Sequence, residues 1–135
     1  MSEDIDLLPV YAAIKYRLKD IGLNAYDYVP GSAEWPGAFI LPPEVELEGL
    51  GDDWIVVVFD IVVLVSAPLD IQQLKLLEYQ SLSGEKSISA AFKAEPTLGG
   101  LVGDIRIARS RPLGYEEQAG YQGFGCVFEA KARIG

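Results

Sequence analysis

Histidine is absent from this 135-residue sequence, and cysteine and methionine occur once each. Without histidine, Ser-His-Asp and Cys-His arrangements and the usual zinc sites are excluded. The one cysteine, Cys126, cannot build an internal disulfide framework; it suits a reducing compartment and reads as a small buried hydrophobe. Positive charge is scarce as well. Eleven Lys and Arg stand against 20 Asp and Glu, a net charge of −9. That balance disfavours nonspecific capture of nucleic acid, which needs clustered cations, but it lets DNA pass nearby without sticking. Long apolar runs are also missing. The greasiest stretch, "WIVVVFDIVVLV" at residues 54–65, has an aspartate inside it and is too short for a spanning helix. The acidic start, "MSEDIDLL", lacks the basic flank and long apolar core of a signal peptide. The expectation is a soluble protein, cytosolic where it is made and without a membrane partner.

Half of the residues are apolar and 23% are charged, an ordinary globular composition. With no repeat, low-complexity tract or linker in view, residues 1–135 read as one domain, long enough to build a core without staples. Leu7, Tyr11, Ile14, Leu18 and Ile21 recur in steps of four and three, which places them on one helical face. Asp6 caps that helix, Pro9 sits in its first turn, and Gly22 suits its end. Lys15 and Lys19 fall on a solvated face. "LNAYDYVP" and "AFILP" read as short strands, and the acidic "PEVELEGLGDD" reads largely as loop. Residues 54–65, almost all β-branched or aromatic, predict a central strand buried on both faces. "SAPLDIQQLKLLEYQ" predicts a helix capped by Ser66, with Pro68 in its first turn and Ile71, Leu74 and Leu77 inward. "SGEKSISAAFKAE" predicts another, with Ile88, Ala91 and Phe92 inward and an end at Glu95, before Pro96.

The glycines of "EPTLGGLVGD" raise the question of a phosphate cradle. They follow a helix and lead into the strand "GDIRIARSR", whereas a phosphate loop runs from strand to glycines to helix N-terminus. Leu101 and Val102 also stand where the Walker pattern has Lys and Ser or Thr. A helix-to-strand turn is the reading. In the last strand Phe124, Cys126, Phe128, Ala130, Ala132 and Ile134 alternate with Gly123, Gly125, Val127, Glu129, Lys131 and Arg133. One face belongs under helices, and the other meets water or a second subunit. Gly123 and Gly125 leave room for close backbone approach.

Candidate chemistry is confined to carboxylates. The pairs Asp52–Asp53 and Glu116–Glu117 read as solvated turns, since acid–base work needs unlike environments to separate their pKa values. Asp60 shares a strand face with Trp54, Val56, Val58, Val62 and Leu64. It must find a donor, reach water or shift its pKa, and pairing to an arginine such as Arg106 or Arg109 is the expectation. Trp35 and Trp54 read as core packing or a lid over the helix layer.

A leading amphipathic helix precedes "NAYDYVP" and "AFILPPEVEL". A long apolar strand, a helix pair with "SISAAFKAEPTLGG", a strand and an alternating C-terminal strand follow. This order and wording resemble, over nearly the whole chain, the tail-terminator (tail-completion) proteins of long-tailed, siphovirus-type bacteriophages. The resemblance implies an α+β fold: a mixed, mainly antiparallel β-sheet with an N-terminal helix and a helix pair packed on it. It also implies a noncatalytic virion protein, with no cofactor and no metal, that is put together in the host cytoplasm. Copies form a hexameric ring that caps the head-proximal end of the tail tube, stops tube polymerisation and docks the head-closure protein. Genomic DNA passes the channel without specific binding. The interface candidates are the acidic connection, with Glu44, Glu46, Glu48, Asp52, Asp53 and its apolar anchors Val45, Leu47 and Leu50, together with Glu116, Glu117, Gly123 and Gly125. The acidic connection is expected to line the channel or, preferably, to dock on a basic rim of the tube or head partner. Asp60 is expected to be a structural polar group. A head-completion or neck protein of the same kind of particle, and a small cytosolic enzyme or ligand-binding domain using carboxylates, remain as alternatives.

Overall fold

The apolar spacing near the N-terminus closes into a helix, α1 (Leu7–Asp20), in a computed structural model that describes residues 6–27, 36–46, 55–65, 69–113, 117–118, 121–122 and 124–134. The Asp6 carboxylate accepts the Leu8 backbone N–H, satisfying one of the donors that a helix start leaves free. At the other end the chain leaves through Gly22, in left-handed geometry at φ +94°. Val10, Ile14, Leu18 and Ile21 are buried, and Leu7 and Tyr11 pack against them from the margin.

Next come β1 (Asn24–Tyr26), β2 (Gly37–Ile40), β3 (Glu44–Glu46) and the long β4 (Ile55–Val65). Then follow α2 (Leu69–Gln80), α3 (Ile88–Ala94), β5 (Asp104–Leu113), the small hairpin β6 (Glu117–Gln118) and β7 (Tyr121–Gln122), and β8 (Phe124–Ile134). The main sheet runs β1-β2-β4-β8-β5, with β3 pairing to β4 beyond the end of β2. Among the described residues only β1 and β2 are parallel; the other pairings are antiparallel. The fold is α+β, with a mixed, mostly antiparallel six-stranded sheet, as expected.

Pairing of β4 with β8 sets the two faces. Val57, Phe59, Ile61 and Val63 lie opposite Ala132, Ala130, Phe128 and Cys126, and all of these belong to one core beneath the three helices. The even positions of β8 therefore face the helices, as their alternation predicts. Removing this much apolar surface from water is the main force holding the layers together. Strand β4 is buried on both faces over Ile61–Val65, whereas Val56, Val58 and Asp60 are only half-buried. The both-face expectation thus holds for its second half alone. On the far face Phe39, Val62, Leu64 and Val127 form a second, smaller cluster.

Two local expectations are corrected. The segment read as loop contributes β3, whose Glu44, Val45 and Glu46 are all exposed. In α2, Leu74 and Leu77 point to solvent, 65% and 59% exposed, while Leu76 and Tyr79 are buried. This helix has apolar residues on two sides, and the side carrying the aromatic ring removes more surface from water. Around Tyr79, burial and then the neighbouring Glu78 carboxylate push the phenol pKa up. In α3, Ile88, Ala91 and Phe92 face inward and the buried Ser87 caps the helix, accepting from Ala90 N–H and donating to the Ser81 carbonyl. The glycine turn joins α3 to β5 with Leu98, Gly99 and Gly100 all left-handed, at φ 50°, 70° and 92°. A leucine in that region is strained by about 1 kcal/mol or more, and its buried side chain holds it there.

Candidate functional site

Among the described residues, the sheet face turned away from the helices gathers a cluster of charges of both signs. It is built from alternate residues of four adjacent strands, β3, β4, β8 and β5. One row aligns Glu44, Val58, Lys131 and Arg106, and the next aligns Glu46, Val56, Arg133 and Asp104. A third row aligns Asp60, Glu129 and Arg109.

Strand β5 reaches this arrangement through a register shift. Ile107 lies opposite Ala130 but Arg109 lies opposite Glu129, so Ala108 is an extra residue on β5. An extra residue reverses the alternation beyond it. Arg106 before the shift and Arg109 and Arg111 after it are thereby all placed on the same face. Five of the eleven Lys and Arg residues of the chain sit here: Arg106, Arg109, Arg111, Lys131 and Arg133.

Asp60 and Glu129 are direct cross-strand neighbours, a like-charge pairing that is unfavourable alone. Arginines offset it. Arg111 Nη2 donates to Asp60 Oδ2 at 3.3 Å, and Arg109 Nε lies 3.6 Å from Glu129 Oε1. Asp60 does find an arginine on β5, then, but it is Arg111 rather than Arg106 or Arg109. With side-chain exposures of 30% and 45%, that pair is half in water, not sealed in the sheet. Arg133 Nε lies 3.9 Å from Asp104 Oδ1. Among the described residues no acid pairs with Arg106 or Lys131. An open groove of about 320 Å³ lies over this basic end, lined by Val56, Asp104, Arg106, Lys131, Ala132 and Arg133. On the other side of Val58 a second groove is lined by Glu44, Asp60, Glu129, Leu41 and Pro42.

The remaining candidates fall as follows. Glu44 and Glu46 are exposed on β3. Glu117 lies on β6, whereas Leu47, Glu48, Leu50, Asp52, Asp53, Glu116 and Gly123 lie outside the described residues, as do Trp35, Trp54, Ser66 and Pro68. Gly125 lies opposite Leu64, and a Cβ there would run into the Val63 carbonyl oxygen and the Leu64 side chain. The room it leaves is taken up within the subunit. Cys126 is buried, and desolvation pushes its thiol pKa up to about 12. Tyr11 donates its hydroxyl to the Leu41 carbonyl at 2.7 Å, and burial raises its pKa as well. The alternation of β8 places Lys131 and Arg133 together on its outward face, whereas nothing in the sequence joins Arg111 to them. The signal for β8 lay in its odd positions. For β5 it was hidden by the register shift.

Comparison with protein-family models and with curated protein sequences returns no match for this chain. No helix among the described residues is long and apolar enough to cross a membrane.

Proposed function

We propose that this chain is a noncatalytic, ring-forming virion protein, a tail terminator at the head-proximal end of a long phage tail. In this reading it stops tube polymerisation and offers the surface on which the head's closure protein docks. One observation carries the proposal: an α+β architecture of the expected kind whose open sheet face has acids along one free edge and cations along the other. Opposite signs on opposite edges suit head-to-tail repetition, the type of contact that closes cyclic rings. Of the acidic connection expected over residues 44–53, this reading gives residues 47–53 to the tube or head partner and leaves Glu44 and Glu46, on β3, to the contact between subunits. Charge steering makes docking of residues 47–53 faster at low salt.

The test is co-sedimentation of the purified protein with isolated tail tubes and, separately, with heads carrying portal and adaptor. Binding to tubes with arrest of tube growth supports the terminator. Binding to heads alone makes it a neck protein, and binding to neither overturns the reading.

A further inference from the structure

We infer that the acidic β3 edge of one copy docks alongside the basic β5 edge of the next, with Glu44 and Glu46 reaching towards Arg106 and Lys131 on the adjoining sheet face. This inference takes from the proposed function only that copies of the chain meet head to tail.

Three observations carry it. First, β3 and β5 are both edge strands: among the described residues β3 pairs only with β4, and β5 only with β8. Each lacks a second strand partner, the usual template for pairing with another chain, although on β5 the Pro96 carbonyl already accepts the Ile105 N–H. Second, the two edges lie at the same end of the sheet and carry opposite charge. Glu44 and Arg106 are the ends of one row, and the four strands place them about 14 Å apart at ordinary strand spacing. The next row ends in Glu46 and Asp104, and there Arg133 of the same chain meets Asp104, so the balance of the β5 edge stays basic through Arg106, Arg109 and Arg111. A contact joining like edges would oppose acid to acid or base to base; only head-to-tail contact matches the signs. Third, Arg106 and Lys131 are directly opposite one another, and no acid of the described residues neutralises them. The two other like-charge neighbours, Asp60 and Glu129, are each met by an arginine of the same chain. The unmet need at Arg106 and Lys131 is for carboxylates from outside, and Glu44 and Glu46 are carboxylates without a cation among the described residues. Val45, between them, is 36% exposed on the helix-side face and adds an apolar contact at the same edge.

The experiment is sedimentation velocity across concentration and salt, with two charge-reversed proteins. One carries Glu44→Lys and Glu46→Lys; the other carries Arg106→Glu and Lys131→Glu. The unaltered chain is expected to self-associate at low salt, with affinity falling at least about tenfold as added salt screens the contact. Each reversed protein alone is expected to stay monomeric with an unchanged circular-dichroism spectrum. Mixing the two restores complementary edges at every contact, so association returns in the equimolar mixture. A chain carrying all four substitutions, which associates with itself again, guards against simple misfolding of either partner. If the unaltered chain associates but neither reversal changes it, the edge contact is overturned while a ring remains possible. If the chain is monomeric at every concentration and salt, the edge contact is overturned outright. Edge-dependent rings that ignore tail tubes leave the contact standing and remove the terminator reading instead.

Discussion

Arg106 on β5 and Lys131 on β8 face each other in register, two cations side by side on an open sheet face. Like charges directly opposite destabilise a strand pair, by a few tenths to about 1 kcal/mol. Reversing one of them, as in Lys131→Glu, should therefore leave the monomer as stable as before or raise its urea midpoint slightly. The same change should weaken self-association. Stability and association moving in opposite directions mark a surface kept for contact, whereas a fall in both would make the pair merely structural.

The Asp60–Arg111 pair should contribute little. Both side chains are partly in water, and ion pairs of that exposure are typically worth 0 to about 1 kcal/mol. Asp60→Ala is expected to cost less than about 1 kcal/mol in urea unfolding. Asp60→Val, which continues the row of Val58 and Val62, should be close to neutral. A loss above about 3 kcal/mol for either would mean that Asp60 belongs to a sealed network.

Gly125→Ala should be the costlier change. The added Cβ meets backbone at the Val63 carbonyl, which cannot swing aside as a side-chain tip can. Overpacking of this kind costs about 1–3 kcal/mol. Gly84→Ala is the control: nothing lies near its Cβ, and only its φ of +109° opposes alanine. Parallel thermal melts should place Gly125→Ala below Gly84→Ala; equal melts would mean that β4 and β8 separate freely at this end.

Cys126 contributes to the alkaline pH dependence, together with the phenols of Tyr11 and Tyr79, whose pKa values burial also raises. Its thiol pKa is about 12 in the folded chain against an ordinary 9.0. Below about pH 9 both folded and unfolded chains hold the neutral thiol, and stability is unaffected. Above that the unfolded chain loses the proton first, so stability falls as pH rises from about 9 towards 12. A Cys126→Ala variant should lack this increment of alkaline destabilisation. At neutral pH the native thiol should react with a thiol reagent only as fast as the protein unfolds.

Elements with one clear period were legible in the sequence. The spacing from Leu7 to Ile21 and the alternation from Cys126 to Ile134 each had one way to bury their apolar residues, and the structure uses it. Helix α2 offered two apolar sides, and only packing against its neighbours decides for Leu76 and Tyr79. The charged face was hidden for a different reason. A single extra residue at Ala108 reverses the phase of β5, and no local propensity announces it. Counting from Asp104 in steps of two finds Arg106 but misses Arg109 and Arg111. That is why the arginine that Asp60 meets, Arg111, is not one of the two examples, Arg106 and Arg109, that the sequence suggests. The edge role of β3 was equally silent, because three residues of "EVE" have no period to read.

The most direct test of the account is electron microscopy of isolated tail tubes with and without the purified protein. The account predicts a hexameric ring seated on one end only of each tube, with tube lengthening halted once it is bound. Tubes whose ends stay bare, or rings scattered along the tube wall while growth continues, would contradict it.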